Sequence, residues 1–487
     1  MDGFIGREDE LSKLDRLYRK RGSTTCAVYG RRRVGKTSLL QEFCEGKPAL
    51  FMTVPGKDPD LTWDVLSAQA SEHAGREVSL RSVPDLLGFL GEVGSAGNGD
   101  KTIVVLDEFP LLDEVDDSAA PLFQRFIDHD MKRFRLMLVV CGSSIRAMGR
   151  HLNDGDSPLY KRFILQMRID PLPYPQACVF HRELSEEDRV RMFAVGSGIP
   201  AYHEYMEGMS VEQAITDGFL KEPALLRSEA DSLVSLELKP KETYDRILAS
   251  IREGVFDAND IEARTGLSRP TCLAAIENLE LLGVIREEVC YGKKRKRMFV
   301  VTDGFLDFYY DVALRSEPYG RFSRGEDVYG ALGNRMAMFF GRRFEEVCRQ
   351  YLLGTERCRW IGRWWGTSPV IEDGQAVREN GRVVTEDTDI DIVAEVENDH
   401  NVDLVLCECK FTHRLVGMRE YENLVNRGLS ARKGYQNKRY VLFSRAGFTD
   451  ELMEFAEDNP GMRIKLVTMD DIRRWSEGCT SGSSGGE

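Results

Sequence analysis

The stretch that decides the fold is YGRRRVGKTSLL, residues 29–40, which follows the apolar run TTCAV. Gly30, Gly35, Lys36 and Thr37 match the pattern GxxxxGK[ST] of a phosphate-binding loop. The run before the loop predicts a buried strand, and the apolar residues after it predict a helix. Because the loop N–H groups and the helix N-terminus then face one point, the stretch predicts a nucleotide site in an α/β domain.

The residues of this loop have separate expected roles. We expect Lys36 to reach the β- and γ-phosphates and Thr37 to place its hydroxyl on Mg²⁺. A chance match in an ordinary loop is the alternative, and the correct flanking elements count against it. The residues expected to bind the nucleotide are Gly30, Arg31, Arg32, Arg33, Val34, Gly35, Lys36, Thr37 and Ser38.

Two further predicted strands supply the polar groups that an NTPase needs. KTIVVLDEF, residues 101–109, ends an apolar run at Asp107 and Glu108. Ligands bind at the carboxyl ends of parallel strands, so we expect Asp107 to hold the Mg²⁺-bound water and Glu108 to polarise the attacking water. RLMLVVCGSS, residues 135–144, places Ser143 where it could sense the γ-phosphate, although serine is also a common helix N-cap.

These stretches, together with FIGREDEL at residues 4–11, resemble the archaeal-type ATPases of the STAND and AAA+ branch of P-loop NTPases. In that family a Gly-Arg-Glu segment packs beside the adenine, which implies this position for Gly6, Arg7 and Glu8. The resemblance therefore favours ATP, with Mg²⁺, as the ligand of the loop.

Two more elements of the resemblance imply nucleotide contacts. SPLYKRF, residues 157–163, is similar to a Leu-Tyr-Gly-Arg stretch whose arginine faces the phosphates, which implies Arg162. Here Lys161 replaces the usual glycine. GSGIPAY, residues 196–202, is similar to the Gly-x-Pro element of a helical lid, which implies Gly198 and Pro200.

The middle of the chain predicts a winged helix. Residues 257–289 read as two helices joined by a turn at Gly266, and a hairpin follows with the basic run KKRKR, residues 293–297, at its tip. Contact with DNA is one interpretation. Internal coupling is the other, because the second helix carries Glu277 and Glu280 where a basic surface would be expected.

The last third contains two predicted strands with a carboxylate pattern. TDIDIVAEV contains Asp391, and VDLVLCECKF contains Glu408 and Lys410, which point the same way because they lie two residues apart. On neighbouring strands these residues would form the D…ExK set of restriction-endonuclease-like nucleases. The carboxylates would hold Mg²⁺, Lys410 would orient or deprotonate a water, and Glu345 on a preceding helix would add a ligand.

This segment also resembles the domain of unknown function that accompanies such ATPases, which is thought to have the nuclease-like fold. Asp389 and Phe411 stand where the usual pattern has Glu and Trp, and these changes flank the chemistry without removing it. A fold that has lost activity but kept its residues is the alternative.

Composition restricts the function further. The 487-residue chain has a net charge of −14, which argues against a general DNA coat and confines any nucleic-acid contact to local surfaces. The absence of a long apolar run and the polar beginning of the sequence predict a cytoplasmic protein with no membrane partner. Assembly into a homo-oligomer is compatible with the resemblance.

We therefore predict an α/β protein of three modules. A P-loop NTPase domain with a parallel sheet and helical lid spans 1–235, a winged helix with an aromatic linker spans 236–325, and an α/β restriction-endonuclease-like domain spans 326–476. A disordered tail would occupy 477–487. The predicted function is an ATP-controlled, Mg²⁺-dependent nuclease acting on DNA or RNA, and the alternative is a STAND-type switch that engages a protein or DNA partner without cutting.

Overall fold

The computed structural model describes residues 4–96, 100–254, 257–319, 324–372, 375–398, 401–431 and 437–481. The chain forms two compact units, of which the first comprises Met1–Leu172 with Ile199–Ala201 and the second comprises Pro173–Gly198 with Tyr202–Glu487. The module boundaries expected near residues 235 and 325 remain predictions.

The first unit is built on a five-stranded parallel sheet. Its strands are β1 (Thr24–Tyr29), β2 (Ala49–Thr53), β3 (Thr102–Asp107), β4 (Leu136–Gly142) and β5 (Leu165–Arg168). Their order across the sheet is β2-β3-β4-β1-β5. Because β4 lies between β1 and β3, the three predicted polar loops leave the sheet side by side at its carboxyl edge.

Helices connect these strands. They are α1 (Glu8–Tyr18), α2 (Lys36–Cys44), α3 (Pro59–Ala74), α4 (Val83–Ala96), α5 (Leu112–Val115), α6 (Ala119–Arg125) and α7 (Ile145–Asn153). Every residue of β3 and β4 is buried, as expected of central strands covered on both faces. The parallel sheet with a glycine loop between β1 and α2 confirms the predicted P-loop α/β fold.

The second unit begins with helices and a hairpin. The helices are α8 (Tyr174–Ala177), α9 (Glu186–Gly196), α10 (Pro200–Met206, whose first two residues belong to the first unit), α11 (Val211–Ile215), α12 (Leu225–Glu237), α13 (Lys241–Arg252), α14 (Ala258–Thr265) and α15 (Arg269–Leu281). The antiparallel hairpin pairs β6 (Ile285–Val289) with β7 (Arg297–Val301).

The elements expected for a winged helix are present between α13 and β7. Gly266, with a φ of 68°, ends α14, and the Ser268 side chain caps α15 by accepting from the backbone N–H of Thr271. Pro270 lies in the first turn of α15, where its missing N–H costs nothing. The winged-helix assignment itself remains a prediction.

A mixed five-stranded sheet forms the core of the carboxyl-terminal part. Its strands are β8 (Cys358–Pro369), β13 (Thr385–Glu397), β14 (Val402–Lys410), β15 (Lys438–Ser444) and β16 (Ile464–Val467). Between β8 and β13, two short hairpins pair β9 (Ile371–Glu372) with β10 (Gln375–Ala376) and β11 (Arg378–Glu379) with β12 (Arg382–Val383). The sheet order is β16-β15-β14-β13-β8, with β13 antiparallel to both of its neighbours and the β14, β15 and β16 pairs parallel.

Six helices accompany this sheet in the described part of the carboxyl-terminal region. They are α16 (Gly304–Asp311), α17 (Gly325–Ala331), α18 (Gly333–Thr355), α19 (Met418–Ala431), α20 (Asp450–Asp458) and α21 (Met469–Ser481). The disordered tail expected from residue 477 is therefore corrected, because α21 continues to Ser481; residues 482–487 lie outside the described part. Within the described residues, no helix is both long and apolar enough to cross a bilayer.

Candidate functional site

The glycine loop between β1 and α2 is shaped closely by its surroundings. Lys36, the first residue of α2, is buried, and its Nζ donates to the carbonyl oxygens of Gly30 at 2.9 Å and Arg31 at 2.8 Å. A Cβ atom on Gly30 would lie 2.3 Å from the carbonyl oxygen of Ile169, so the loop can pass this point only as glycine. Burial lowers the pKa of Lys36, a cost that an anion beside the ammonium would offset.

The loop also uses the left-handed backbone conformation. Gly35 has a φ of 87° and Arg33 a φ of 69°. Turns of this kind direct successive N–H groups into one concavity, which is how phosphate cradles are built. Arg31 is buried, whereas Arg32, Arg33 and Ser38 are exposed. The predicted cradle therefore contains left-handed residues of the kind from which phosphate-binding loops are built.

Two oxygen-bearing side chains meet beside the cradle. Thr37 Oγ1 donates to Asp107 Oδ2 at 2.9 Å, which joins the start of α2 to the end of β3. Asp107 is buried, and its other oxygen, Oδ1, accepts from the backbone N–H of Glu108 at 3.0 Å. A hydroxyl and a carboxylate are the hard ligands that Mg²⁺ prefers, so the pair fits the predicted metal role.

Glu108 is held by Ser143. Its backbone is left-handed, with φ 53° and ψ 37°, and its Oε2 accepts from both Ser143 Oγ at 2.9 Å and Ser143 N at 3.2 Å. The sequence predicted a γ-phosphate sensor at Ser143 and a base at Glu108, but not a bond between them. The adjacency of β3 and β4, which no spacing reveals, brings the two strand ends together.

The amino-terminal segment reaches the loop through Arg7. Its Nη2 donates to the carbonyl oxygens of Val34 at 3.2 Å and Asp170 at 2.6 Å. Gly6 precedes it with a φ of 70°, whereas Glu8 is exposed at the start of α1. Of the three residues expected at the adenine, the structure places Arg7 in direct contact with the loop.

Pro200 also lies against the loop. A Cβ atom on Gly35 would be 3.8 Å from Pro200 Cγ, an ordinary van der Waals distance. The residue expected two positions earlier, Gly198, belongs to the second unit.

The structure corrects the expectation for Arg162. Thr25 Oγ1, at the beginning of β1, donates to the carbonyl oxygen of Arg162 at 2.7 Å, and the guanidinium pairs with Asp128 at 3.0 Å. Thr25 and Gly30 are five residues apart, or roughly 16 Å along a strand. Arg162 therefore lies at the amino edge of the sheet, and the phosphate loop lies at the carboxyl edge of the same sheet.

A second group of charged residues lies on the mixed sheet. Asp391 on β13 and Glu408 on β14 are on antiparallel neighbours whose register pairs Ile392 with Cys407. Asp391 Oδ2 accepts from the backbone N–H of Cys409 at 2.7 Å, and Glu408 Oε1 pairs with Lys410 Nζ at 2.5 Å. The predicted D…ExK residues are therefore adjacent.

These carboxylates repel one another. Burial raises the pKa of Asp391, and the nearby charges of Glu345 and Glu408 raise it further. Burial likewise raises the pKa of Glu345 on α18, against the opposing effect of Arg363. A bound cation would reduce this repulsion, and closely placed carboxylates of this kind are typical of metal sites.

Arginines of the chain itself now balance the acids. Arg363 on β8 pairs with Glu345 and lies 3.4 Å from Asp389, and Arg427 Nη1 on α19 donates to Glu408 Oε2 at 2.8 Å. Among the described residues, no three His, Cys, Asp or Glu side chains form a group ready to hold a metal ion. Sequence reasoning missed both arginines, because neither belongs to a spacing pattern with the carboxylates.

Comparison with known proteins places the charged group within a recognised region. Residues 309–424 match the family DUF234, described as archaea bacterial proteins of unknown function. An uncharacterized protein of Methanocaldococcus jannaschii is 26% identical over 442 residues, which cover 86% of this chain and 94% of that protein. An uncharacterized ATP-binding protein of the same organism is 43% identical over 44 residues, or 9% of this chain and 75% of that protein.

Solved structures give more distant similarities. The Walker-type ATPase of Pyrococcus abyssi has a TM-score of 0.48 at 18% identity, over 63% of this chain and 96% of that chain. The ORC2 protein of Aeropyrum pernix, in complexes with ADPNP and ADP, has a TM-score of 0.42 at 14% identity, over 68% of this chain and 97% of that chain. The similarity of residues 309–424 to DUF234 agrees with the predicted domain of unknown function, and the nuclease-like fold of that domain remains a prediction.

Proposed function

Because the chain combines a P-loop ATPase-like fold with a DUF234 region, we propose that it binds ATP with Mg²⁺ at the glycine loop and hydrolyses it. The observation that carries the proposal is the 2.9 Å contact between Thr37 and Asp107, beside the glutamate that Ser143 holds. The similarity of one stretch to an ATP-binding protein supports the choice of ligand.

Each residue of the site has a defined task in this proposal. The bond that is broken is the phosphoanhydride between the β- and γ-phosphates, so ADP leaves and the water oxygen becomes part of inorganic phosphate. Lys36 turns from the loop carbonyls to the phosphates, and Thr37 and Asp107 hold Mg²⁺. Glu108 accepts a proton from the attacking water while Ser143 keeps its carboxylate in place. Arg7 stabilises the loop by donating a hydrogen bond to the carbonyl oxygen of Val34.

Calorimetric titration with ATP tests the binding step. We expect Lys36→Ala to weaken ATP binding at least tenfold, because an uncompensated phosphate charge remains in the cradle. Thr37→Ala should remove the gain in affinity that Mg²⁺ gives. Lys13→Ala, which removes an exposed lysine of α1 that has no assigned role at the loop, is the matched control. Equal affinity of the wild type and Lys36→Ala would refute the proposal.

A second candidate function is supported by the group around Asp391. We propose that Asp391 and Glu408, with Glu345, hold Mg²⁺ or Mn²⁺, and that Lys410 orients the water that cleaves a phosphodiester. The observation that carries this proposal is the strand register, which pairs Ile392 with Cys407 and so sets Asp391 beside Glu408. Arg363 and Arg427, which pair with these acids, would yield their contacts where a cation is held, and nucleotide state at the loop would control cleavage.

Cleavage of plasmid, single-stranded DNA and RNA, with either metal and with or without ATP, tests this activity. Cutting should vanish in Asp391→Ala and persist in Asp387→Ala, an exposed residue of the same strand. Absence of cutting under every condition would favour the alternative, a STAND-type switch that uses the region to engage a partner.

Contacts of the hairpin support an internal role for the predicted winged helix. The backbone N–H of Tyr291 donates to the carbonyl oxygen of Arg363 at 2.9 Å, and Cys290 Sγ lies 3.3 Å from the carbonyl oxygen of Trp365. The hairpin therefore touches the strand that carries the arginine of the second site. Coupling through this hairpin is proposed alongside DNA contact, and self-association of the chain also remains a proposal.

A further inference from the structure

A cavity of about 500 Å³ lies between the hairpin, α16 and α18. Its wall contains more positive than negative charge. The six arginines that line it are Arg252, Arg315, Arg335, Arg342, Arg343 and Arg363. Four acidic residues also line it, and one of these, Glu253, pairs with Arg264, which lies outside the cavity. The wall therefore presents excess positive charge to whatever enters.

The centre of the cluster is Asp311, which several arginines share. Arg252 and Arg335 both pair with Oδ1 of Asp311, and Arg342 pairs with Oδ2 at 2.5 Å. Three guanidinium groups share one carboxylate, so like charges lie close together and repel one another. A second anion would relieve this repulsion.

Two of these arginines are open to solvent. The side chains of Arg335 and Arg342 are 35% and 49% exposed. A guanidinium has five N–H donors, and the contacts seen among the described residues use two donors of Arg335 and one of Arg342. The remaining donors suit phosphate oxygens, which arginine binds in a bidentate manner.

A second basic cleft lies next to the cavity, since Gly254 lines both spaces. Lys293 to Arg297, the tip of the hairpin, line this cleft of about 760 Å³ together with Trp365, and their five cations outnumber its two acids, Asp257 and Asp260. Lys296 Nζ lies 5.7 Å from the Trp365 ring centroid. At its other end the arginine cavity includes Glu345 and Arg363, which belong to the group around Asp391.

We propose that this path binds the phosphodiester backbone of a single nucleic-acid strand and leads it from the hairpin tip to the Asp391 group. That the strand leads toward the Asp391 group rests on the second candidate function proposed above. A cleft of cations with an aromatic ring is the usual way to bind a strand without reading its sequence. A cavity of about 500 Å³ is small beside a duplex, so the path suits one strand better than two.

Fluorescence anisotropy of a labelled oligothymidylate of about 15 nucleotides tests the path, since strand-binding sites span roughly 4–16 nucleotides. EDTA in the buffer separates binding from cleavage and from ATP hydrolysis. We expect Arg335→Gln with Arg342→Gln to weaken binding about tenfold or more, and to reduce the salt slope by about 1.4, since each single-strand phosphate contact contributes about 0.7. Arg474→Gln, a 74% exposed arginine on α21, is the control.

The single variant Arg342→Gln, with the most exposed of the three side chains around Asp311, keeps the test valid if the double variant does not fold. A duplex of the same length should bind more weakly than the strand. Affinity and salt slope equal to those of Arg474→Gln would overturn the proposal. Complete displacement of the strand by inorganic phosphate at matched ionic strength would also overturn it, since the site would then hold single phosphates.

Discussion

At the scale of single residues, the phosphate loop depends on how closely β5 approaches it. The carbonyl oxygen of Ile169 leaves no space for a side chain at residue 30, which must therefore be glycine. Lys36 Nζ donates two hydrogen bonds to carbonyl oxygens of the loop. Both residues were predicted from the loop pattern alone. The pattern could not predict the hydrogen bond from Arg7 to the carbonyl oxygen of Val34, because the two residues are distant in the sequence and meet only in the fold.

Substitution of Gly30 by alanine should damage the loop itself. The added methyl group would meet a backbone carbonyl that cannot rotate away, and overpacking of this kind costs typically about 1–3 kcal/mol. We expect a lower thermal midpoint and weaker ATP binding. Gly149→Ala, on α7 where a Cβ meets nothing within 4 Å, should leave both unchanged or raise stability slightly. Equal midpoints for the two variants would contradict this reading of the loop.

Substitution of Asp391 by asparagine should stabilise the metal-free protein. The pKa of Asp391 is raised, so its ionised form lowers folding stability progressively as pH rises through that pKa. We expect Asp391→Asn to increase the thermal midpoint at pH 8 in EDTA, and to abolish the further increase that Mn²⁺ gives the wild type. Asp387→Asn, measured by the same thermal scan, should behave as the wild type; a Mn²⁺ response retained in Asp391→Asn would argue against a metal site there.

At the scale of elements, strand order decides which predicted residues meet. The apolar runs predicted β1, β3 and β4, and their pairing places Asp107 and Ser143 beside the loop. The same order places Arg162, which was assigned by resemblance, away from the phosphate loop. The segment that carries Arg162 enters β5 from the opposite edge of the sheet. A family motif predicts residue types and their order along the chain. It does not predict at which edge of the sheet a given residue lies.

A histidine pair holds the turn that precedes α10. His181 Nε2 and His203 Nδ1 are 2.8 Å apart, and His203 Nε2 is 2.8 Å from the carbonyl oxygen of Ser197. The carbonyl can only accept, so His203 Nε2 carries a proton and His181 Nε2 donates to His203 Nδ1. Burial lowers the pKa of His181 to about 3 and of His203 to about 4. The pair is therefore neutral in the folded protein at physiological pH.

This pair predicts a pH dependence of stability. Between the folded values and the unfolded value of about 6.5, the unfolded chain binds more protons, so the free energy of unfolding falls as pH decreases through this window. Thermal scans from pH 7 to pH 4.5 should show a shallower decline for His181→Gln, whose amide can still donate to His203. His73→Gln, at an exposed site, should keep the wild-type slope; a slope unaltered by His181→Gln would rule out the pair as its source.

At the scale of the whole molecule, the sequence predicted the P-loop α/β fold, and it predicted a later domain of unknown function, with which the DUF234 similarity over residues 309–424 agrees. It also predicted which acidic residues would gather on the second sheet. It could not predict that Arg363 and Arg427 would neutralise them, or that α16 and α18 would enclose a cavity rich in arginine. Those features depend on which helices and strands pack together over long distances in the sequence. The sequence pattern of each element predicts only which of its residues are buried.

Single-turnover release of phosphate from ATP by wild-type protein and Glu108→Gln tests the central claim most directly. Both proteins should bind Mg²⁺ and ATP with affinities within about twofold, because Glu108 contacts neither in the proposed site. Loss of a general base costs typically about 10²–10⁴ in rate, so the account predicts that Glu108→Gln releases phosphate at least a hundredfold more slowly. Release at the wild-type rate by Glu108→Gln, with ATP demonstrably bound, would contradict it.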